Sequence, residues 1–181
     1  LSGDGADELG AGYGRIFRSG LDWTRMQEIN RDGPPSPDGE LIENLVAKYG
    51  CIRSDDLPTF FLEQYSYNSI DERASVLHPD VWADGAADDS ARHVFESAFA
   101  DVAHLEPQTQ FLSVFARLHL QPVLERLDRS TMSESLEGRV PLLDHEIVEF
   151  ALSLPLDLKM KWRSERAVEE ARFRNSDQIS E

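Results

Sequence analysis

Apolar residues recur along this chain at helical rather than strand spacing, with strongly polar positions between them. Leu41, Ile42, Leu45 and Val46 fall at i, i+1, i+4 and i+5, the stripe of an amphipathic helix that Gly50 should end. Val94, Phe95, Ala98, Phe99, Val102 and Leu105 trace a second stripe. After Glu106 and Pro107 a longer one runs through Phe111, Leu112, Phe115 and Leu118, and past an expected kink at Pro122 to Val123, Leu124 and Leu127. The mixed pattern from Arg15 to Asp32 predicts one short helix with Ile16, Phe17, Leu21, Trp23 and Met26 inward. A further helix is expected from about Asp56 to Tyr67, and a short helix start at His78–Trp82. Phe60, Phe61, Tyr65 and Tyr67 read as packing rather than base stacking, because no basic residues are interleaved with them. Asp144 is well placed to cap a helix from His145 to Leu154, which Pro155 closes.

Between these elements the breakers are clear. Gly33-Pro34-Pro35-Ser36-Pro37-Asp38-Gly39 and Asp84-Gly85-Ala86-Ala87-Asp88-Asp89-Ser90 read as loops, with Asp89 or Ser90 capping the next helix. Lys159 to Glu181 is charged and weakly periodic, so a loosely ordered tail is expected. Leu1 reads as the end of a buried parallel strand, and no internal repeat or low-complexity segment occurs. The portion present is therefore expected to be predominantly α-helical, and 181 residues suffice for one domain with a real core.

Charge and cysteine usage narrow the function classes. A net charge of −16, from 34 acidic against 18 basic residues, argues against nucleic acid and against anionic membranes as partners of the bulk surface. Cys51 is the sole cysteine, which excludes an internal disulfide and fits a reducing compartment. With no run of about 18 apolar residues and no signal-like start, a soluble cytoplasmic protein is expected. The histidines 78, 93, 104, 119 and 145 share no metal-ligand spacing and read as structural or exposed.

One stretch is a poor core segment and a good site. Ser2-Gly3-Asp4-Gly5-Ala6-Asp7-Glu8, running on into Gly10, Gly12 and Gly14, crowds carboxylates among glycines. Glycine backbone can turn sharply against a ligand, and its N–H groups receive phosphate. The acids oppose bare phosphate, so the combination makes sense where Mg²⁺ bridges carboxylate and phosphate oxygens. A calcium-binding turn fits less well, since Asp4, Asp7 and Glu8 lack the alternate spacing and distal Glu of such loops.

This stretch, with Leu9 and Gly12-Tyr13 behind it, resembles the second ATP-site motif of the asparagine synthetase family. The segment Leu127-Asp128-Arg129-Ser130-Thr131-Met132-Ser133-Glu134-Ser135-Leu136-Glu137-Gly138-Arg139-Val140-Pro141-Leu142-Leu143-Asp144-His145 is similar to another signature of that family, in the expected order. The resemblance implies an α/β fold, a parallel sheet with helices of the adenine nucleotide alpha hydrolase kind. It implies ATP and Mg²⁺ as cofactors and amide formation through an acyl-adenylate, with asparagine made from aspartate and ammonia in the namesake enzymes. By position in the motif, Ser2 and Gly3 would contact ATP, Asp7 would hold Mg²⁺ with the pyrophosphate, and Glu8 would assist the cation or serve as a helix-start carboxylate. Asp4 would stand at the reacting centre. Glu137 and Arg139 are the candidates for the substrate pocket, with Arg139 able to pair a carboxylate. Ion pairing that merely docks the helix is an equal reading of this segment.

Departures from the family pattern set further expectations. The first phosphate loop, S-G-G-x-D-S after a strand, is absent, as is a glutaminase domain with its N-terminal Cys, for which the internal Cys51 cannot substitute. The family's downstream lysine segment is not evident, though Lys159 and Lys161 exist. Residues 1–181 therefore read as a partial synthetase domain, cut at both ends and inactive alone, with a glutaminase domain expected upstream in the full-length protein. A homodimer is one arrangement the resemblance allows. Asp4 occupies a place where many members carry Glu, so a different carboxylate, as in relatives that close β-lactam rings or lasso peptides, or a non-catalytic scaffold, stays open.

Overall fold

The computed structural model describes residues 1–33, 39–50, 52, 56–68, 70–83, 86–162 and 179–180. Ten helices are seen among them: α1 (Ala6–Gly10), α2 (Gly14–Asp32), α3 (Glu40–Tyr49), α4 (Leu57–Tyr65), α5 (Ile70–Val76), α6 (Pro79–Ala83), α7 (Ala86–Asp101), α8 (Pro107–Met132), α9 (His145–Ser153) and α10 (Leu156–Lys159). A 3₁₀ turn, Pro141–Leu143, precedes α9. The two-residue strands β1 (Lys161–Trp162) and β2 (Ile179–Ser180) pair antiparallel. The expected helical character holds. The parallel sheet implied by the resemblance has no counterpart among the described residues, and Leu1 is fully exposed rather than the buried end of a strand.

The core is aromatic because the helical stripes converge on phenylalanines. α2 packs on α8 and α4, α4 on α7, and α7 on α8. Phe17, Phe60, Phe61, Phe111 and Phe115 are all at most 2% exposed. Phe61 meets Phe111 edge to face, with ring centroids 4.7 Å apart and planes at 81°. Burying each such ring contributes about 1.5–3 kcal/mol, and an edge-to-face pair roughly 0.5–1.5 kcal/mol more. An exposed ion pair such as Arg117 with Asp101 contributes only about 0–1 kcal/mol, so packing rather than surface charge decides the arrangement.

Several local expectations are met at atomic detail. The helix expected from about Asp56 is α4, and the Asp56 carboxylate caps it by accepting from the Thr59 N–H at 2.9 Å. Asp144 accepts from the Glu146 N–H at 3.0 Å and caps α9. Gly50 closes α3. Others are corrected. α2 is not short but 19 residues long, since packing against two neighbours overrides its weak periodicity. α7 begins at Ala86, so Asp89 and Ser90 lie inside a helix rather than ahead of its first turn. The stripe expected on both sides of Pro122 does lie on one helix, α8. Val94, Val46 and Tyr67 are exposed, although their spacing or aromatic character placed them inward. The expected loop residues 34–38, 84 and 85, Cys51 and most of the expected tail, 163–178 and 181, lie outside the described residues.

Candidate functional site

The glycine- and acid-rich stretch folds as a loop feeding α1. Gly5 is its N-cap with φ 95°, a left-handed conformation open to glycine at little cost. A Cβ at Gly5 would also run into Leu143, 2.5 Å from its Cγ and 2.9 Å from its Cδ1. The loop closes locally: the Ser2 hydroxyl donates to the Asp4 carboxylate at 2.5 Å, and the Asp4 N–H donates back to Ser2 Oγ at 3.3 Å. The Ser2 N–H donates to the Arg139 carbonyl at 2.8 Å. Two segments more than a hundred residues apart in sequence are thus joined by a backbone hydrogen bond and by the Gly5–Leu143 contact. α1 in turn packs on α8 and α9, the two helices that flank the second segment.

The acidic side chains of α1 separate. Asp7 is exposed, and its carboxylate lies against Gly12, where a Cβ would sit 2.8 Å from Asp7 Cγ. The Gly12 N–H donates to the Asp7 carbonyl at 2.9 Å, so the turn after α1 is closed on the same residue. Glu8 points the other way and is only 2% exposed. It accepts from the Tyr13 hydroxyl at 3.0 Å, and His119 Nε2 is 3.8 Å from the same oxygen. Asp4 and Asp7 remain near solvent while Glu8 is committed to the core. Among the described residues, no three His, Cys, Asp or Glu side chains converge as a metal cage. The donor set still fits Mg²⁺ carried by a nucleotide, because that ion takes one or two protein carboxylates and fills its remaining positions with phosphate and water.

Glu137 and Arg139 pair with each other at 2.8 Å, with side chains 69% and 70% exposed. Such a pair contributes about 0–1 kcal/mol, so little is lost when another carboxylate takes the guanidinium. Lys159 ends α10; its Nζ has no hydrogen-bond partner among the described residues, and burial lowers its pKa from the usual lysine value.

His119, expected to be structural or exposed, has polar partners that its spacing did not show. It lies on α8 one turn beyond Phe115 and stacks on that ring, with centroids 4.5 Å apart and planes at 21°. Its Nδ1 is 3.2 Å from the Tyr65 hydroxyl. Position i+4 from a buried phenylalanine was the available signal, but its polar partners come from other helices. Burial, the hydrogen bond to Glu8 and the nearby Glu8 charge push the Tyr13 phenol up to about 12, so it remains a neutral donor across ordinary pH.

A family model described as asparagine synthase matches residues 1–175. The chain belongs to that family. It is 26% identical over 150 residues to asparagine synthetase [glutamine-hydrolyzing] 3 of Bacillus subtilis, a match covering 78% of this chain and 24% of the relative. It is 28% identical over 184 aligned positions to a putative asparagine synthetase [glutamine-hydrolyzing] of Mycobacterium bovis, covering 93% and 26%. A putative asparagine synthetase [glutamine-hydrolyzing] 1 of Methanocaldococcus jannaschii is 50% identical over 48 residues, 26% of this chain and 9% of the relative. No solved structure matches. The chain spans about a quarter of the length of the first two relatives. The asparagine synthase family implies an α/β synthetase domain, of which these residues supply mainly helices. No helix among the described residues is long and apolar enough to cross a membrane.

Proposed function

We propose that this chain is part of a protein that forms an amide from a carboxylate, ATP and ammonia through an acyl-adenylate, with aspartate as the first substrate to test. The observation that carries the reading is the junction of the two signature segments at the Ser2 N–H and the Arg139 carbonyl, 2.8 Å apart. In the reaction the substrate carboxylate oxygen bonds to the α-phosphorus of ATP and pyrophosphate leaves. Ammonia then bonds to the acyl carbon, AMP leaves, and the attacking nitrogen gives up a proton.

In this reading Ser2 and Gly3 contact ATP, while the exposed Asp7 is the carboxylate that holds a nucleotide-borne Mg²⁺. When bound, that ion neutralises charge developing on the leaving pyrophosphate. Asp4, tied to the Ser2 hydroxyl, stands at the reacting centre. Arg139 exchanges Glu137 for the carboxylate of the substrate, a trade that leaves the charge count at the guanidinium unchanged. Glu8 has no direct part, because its carboxylate is buried and held by Tyr13. The names of the relatives include glutamine hydrolysis, which supports a glutaminase domain as ammonia source in the full-length protein.

Asp4 favours a second reading on one point. Its side chain is one methylene shorter than the Glu that the resemblance leads one to expect and is closed onto Ser2, so a different carboxylate and a different amide product form the second reading. The test of both is substrate-dependent AMP release by the full-length protein across a panel of carboxylates. Release with aspartate, lost by about a hundredfold or more in Asp7→Asn, supports asparagine formation. Release with another carboxylate only shifts the assignment to that substrate. No release with any of them sinks the enzymatic reading in favour of a scaffold. The 181-residue chain alone should give no AMP above background, because its sequence lacks the first phosphate loop.

A further inference from the structure

We infer that His119 is the positioning residue of the first signature segment: through Glu8 it fixes the orientation in which α1 presents Asp7. The Glu8 carboxylate is out of water, its side chain 3% exposed. A buried carboxylate is retained only where donors face it. Glu8 has two such faces, the Tyr13 hydroxyl at 3.0 Å and His119 Nε2 at 3.8 Å. The other ring nitrogen of His119 lies 3.2 Å from the Tyr65 hydroxyl. When Tyr65 donates to Nδ1, the ring proton resides on Nε2 and faces Glu8; the opposite tautomer would aim a lone pair at a carboxylate. Stacking on Phe115 holds the ring plane in place.

The result is a chain of polar contacts from Tyr65 of α4, through His119 of α8, to Glu8 of α1, met from the other side by Tyr13 at the N-cap of α2. α1 has only five residues, too few to be stable by itself. Its orientation is therefore set by what holds Glu8 and by its packing on α8 and α9. α8 contributes twice, since its last turns also open the second signature segment at Leu127. One helix thus registers both halves of the proposed site.

The experiment uses the full 181-residue chain and compares His119→Gln, whose amide nitrogen can replace Nε2–H, with His119→Phe, which keeps the ring stack and removes both nitrogens. Nitrogen-15 spectra of the wild-type imidazole at mildly alkaline pH should show Nε2 protonated and Nδ1 as the acceptor; a protonated Nδ1 overturns the inference. Hydrogen exchange at Leu9 and Gly12 should quicken on the order of tenfold in His119→Phe and stay near wild type in His119→Gln, with amides in the middle of α8 unchanged in both. Equal quickening in the two variants, or none in either, overturns it. If His119→Phe does not fold, Tyr65→Phe carries the same test: local quickening at Leu9 and Gly12 supports the relay, and unchanged exchange refutes it. The link to catalysis rests on the reaction proposed above. In the full-length protein His119→Phe should raise KM for Mg-ATP about tenfold with a smaller change in kcat, and His119→Gln should not. An unchanged KM in His119→Phe removes that link, while wild-type protein that releases no AMP refutes the reaction and leaves the spectra and exchange to decide the positioning role.

Discussion

Replacing Gly5 by alanine probes the joint between the two signature segments at its tightest point. Two costs add. At φ 95° an L-residue is strained by roughly 1–2 kcal/mol. The new Cβ also meets three atoms of the Leu143 side chain, with Cγ at 2.5 Å and Cδ1 at 2.9 Å. Because Cγ is involved as well as the tip, a simple methyl rotation does not clear the clash, and overpacking of this kind costs about 1–3 kcal/mol. Gly5→Ala should therefore lose roughly 2–5 kcal/mol in urea unfolding followed by circular dichroism. The two terms can be separated in a Leu143→Ala background. There the clash disappears and only the backbone strain, about 1–2 kcal/mol, remains, so the pair should show a coupling of about 1–3 kcal/mol. Additivity within about 0.5 kcal/mol would mean that Gly5 and Leu143 do not touch, and the joint between the segments would have to be abandoned.

Three further outcomes follow from named contacts. Gly12→Ala places a Cβ against the Asp7 carboxylate, so in the full-length protein AMP release should drop at least tenfold for a stability loss of only about 1–2 kcal/mol; unchanged turnover would detach Asp7 from the chemistry. Tyr13, raised from 10.0 to about 12, should be a late tyrosine to ionise in an alkaline absorbance titration. Its folded pKa lies above the unfolded one, so the stability it contributes is complete below about pH 10 and is lost as pH rises toward 12. Tyr13→Phe should flatten that part of the stability profile, and an unaltered profile would refute the assignment. Asp22, fully buried, accepts from Lys48 Nζ at 2.9 Å and the Tyr49 hydroxyl at 2.6 Å. Asp22→Ala should cost about 2–3 kcal/mol and Lys48→Ala roughly 1 kcal/mol, because Lys48 is a third exposed while Asp22 keeps the Tyr49 donor; the reverse order in urea melts would contradict this.

The sequence by itself determined what depends on neighbours along the chain. Helical stripes through Leu41 and Leu45, through Phe95 and Phe99, and through Phe111, Leu112 and Phe115 were legible because burial of one face imposes a period near 3.6 residues, and all seven are buried. The cap Asp144 was legible because a cap bonds within three residues of itself. The family was legible because both signature segments are contiguous runs. Only the tertiary structure decided which of the adjacent acids, Asp7 or Glu8, faces solvent, since a short helix turns successive side chains about 100° apart and the core lies on just one of them. It also decided that His119 belongs with Glu8 and Tyr65, that Val94 and Tyr67 are exposed, and that Ser2 meets Arg139. Those facts depend on residues brought together from distant parts of the chain, and no local period or spacing encodes which helix packs against which.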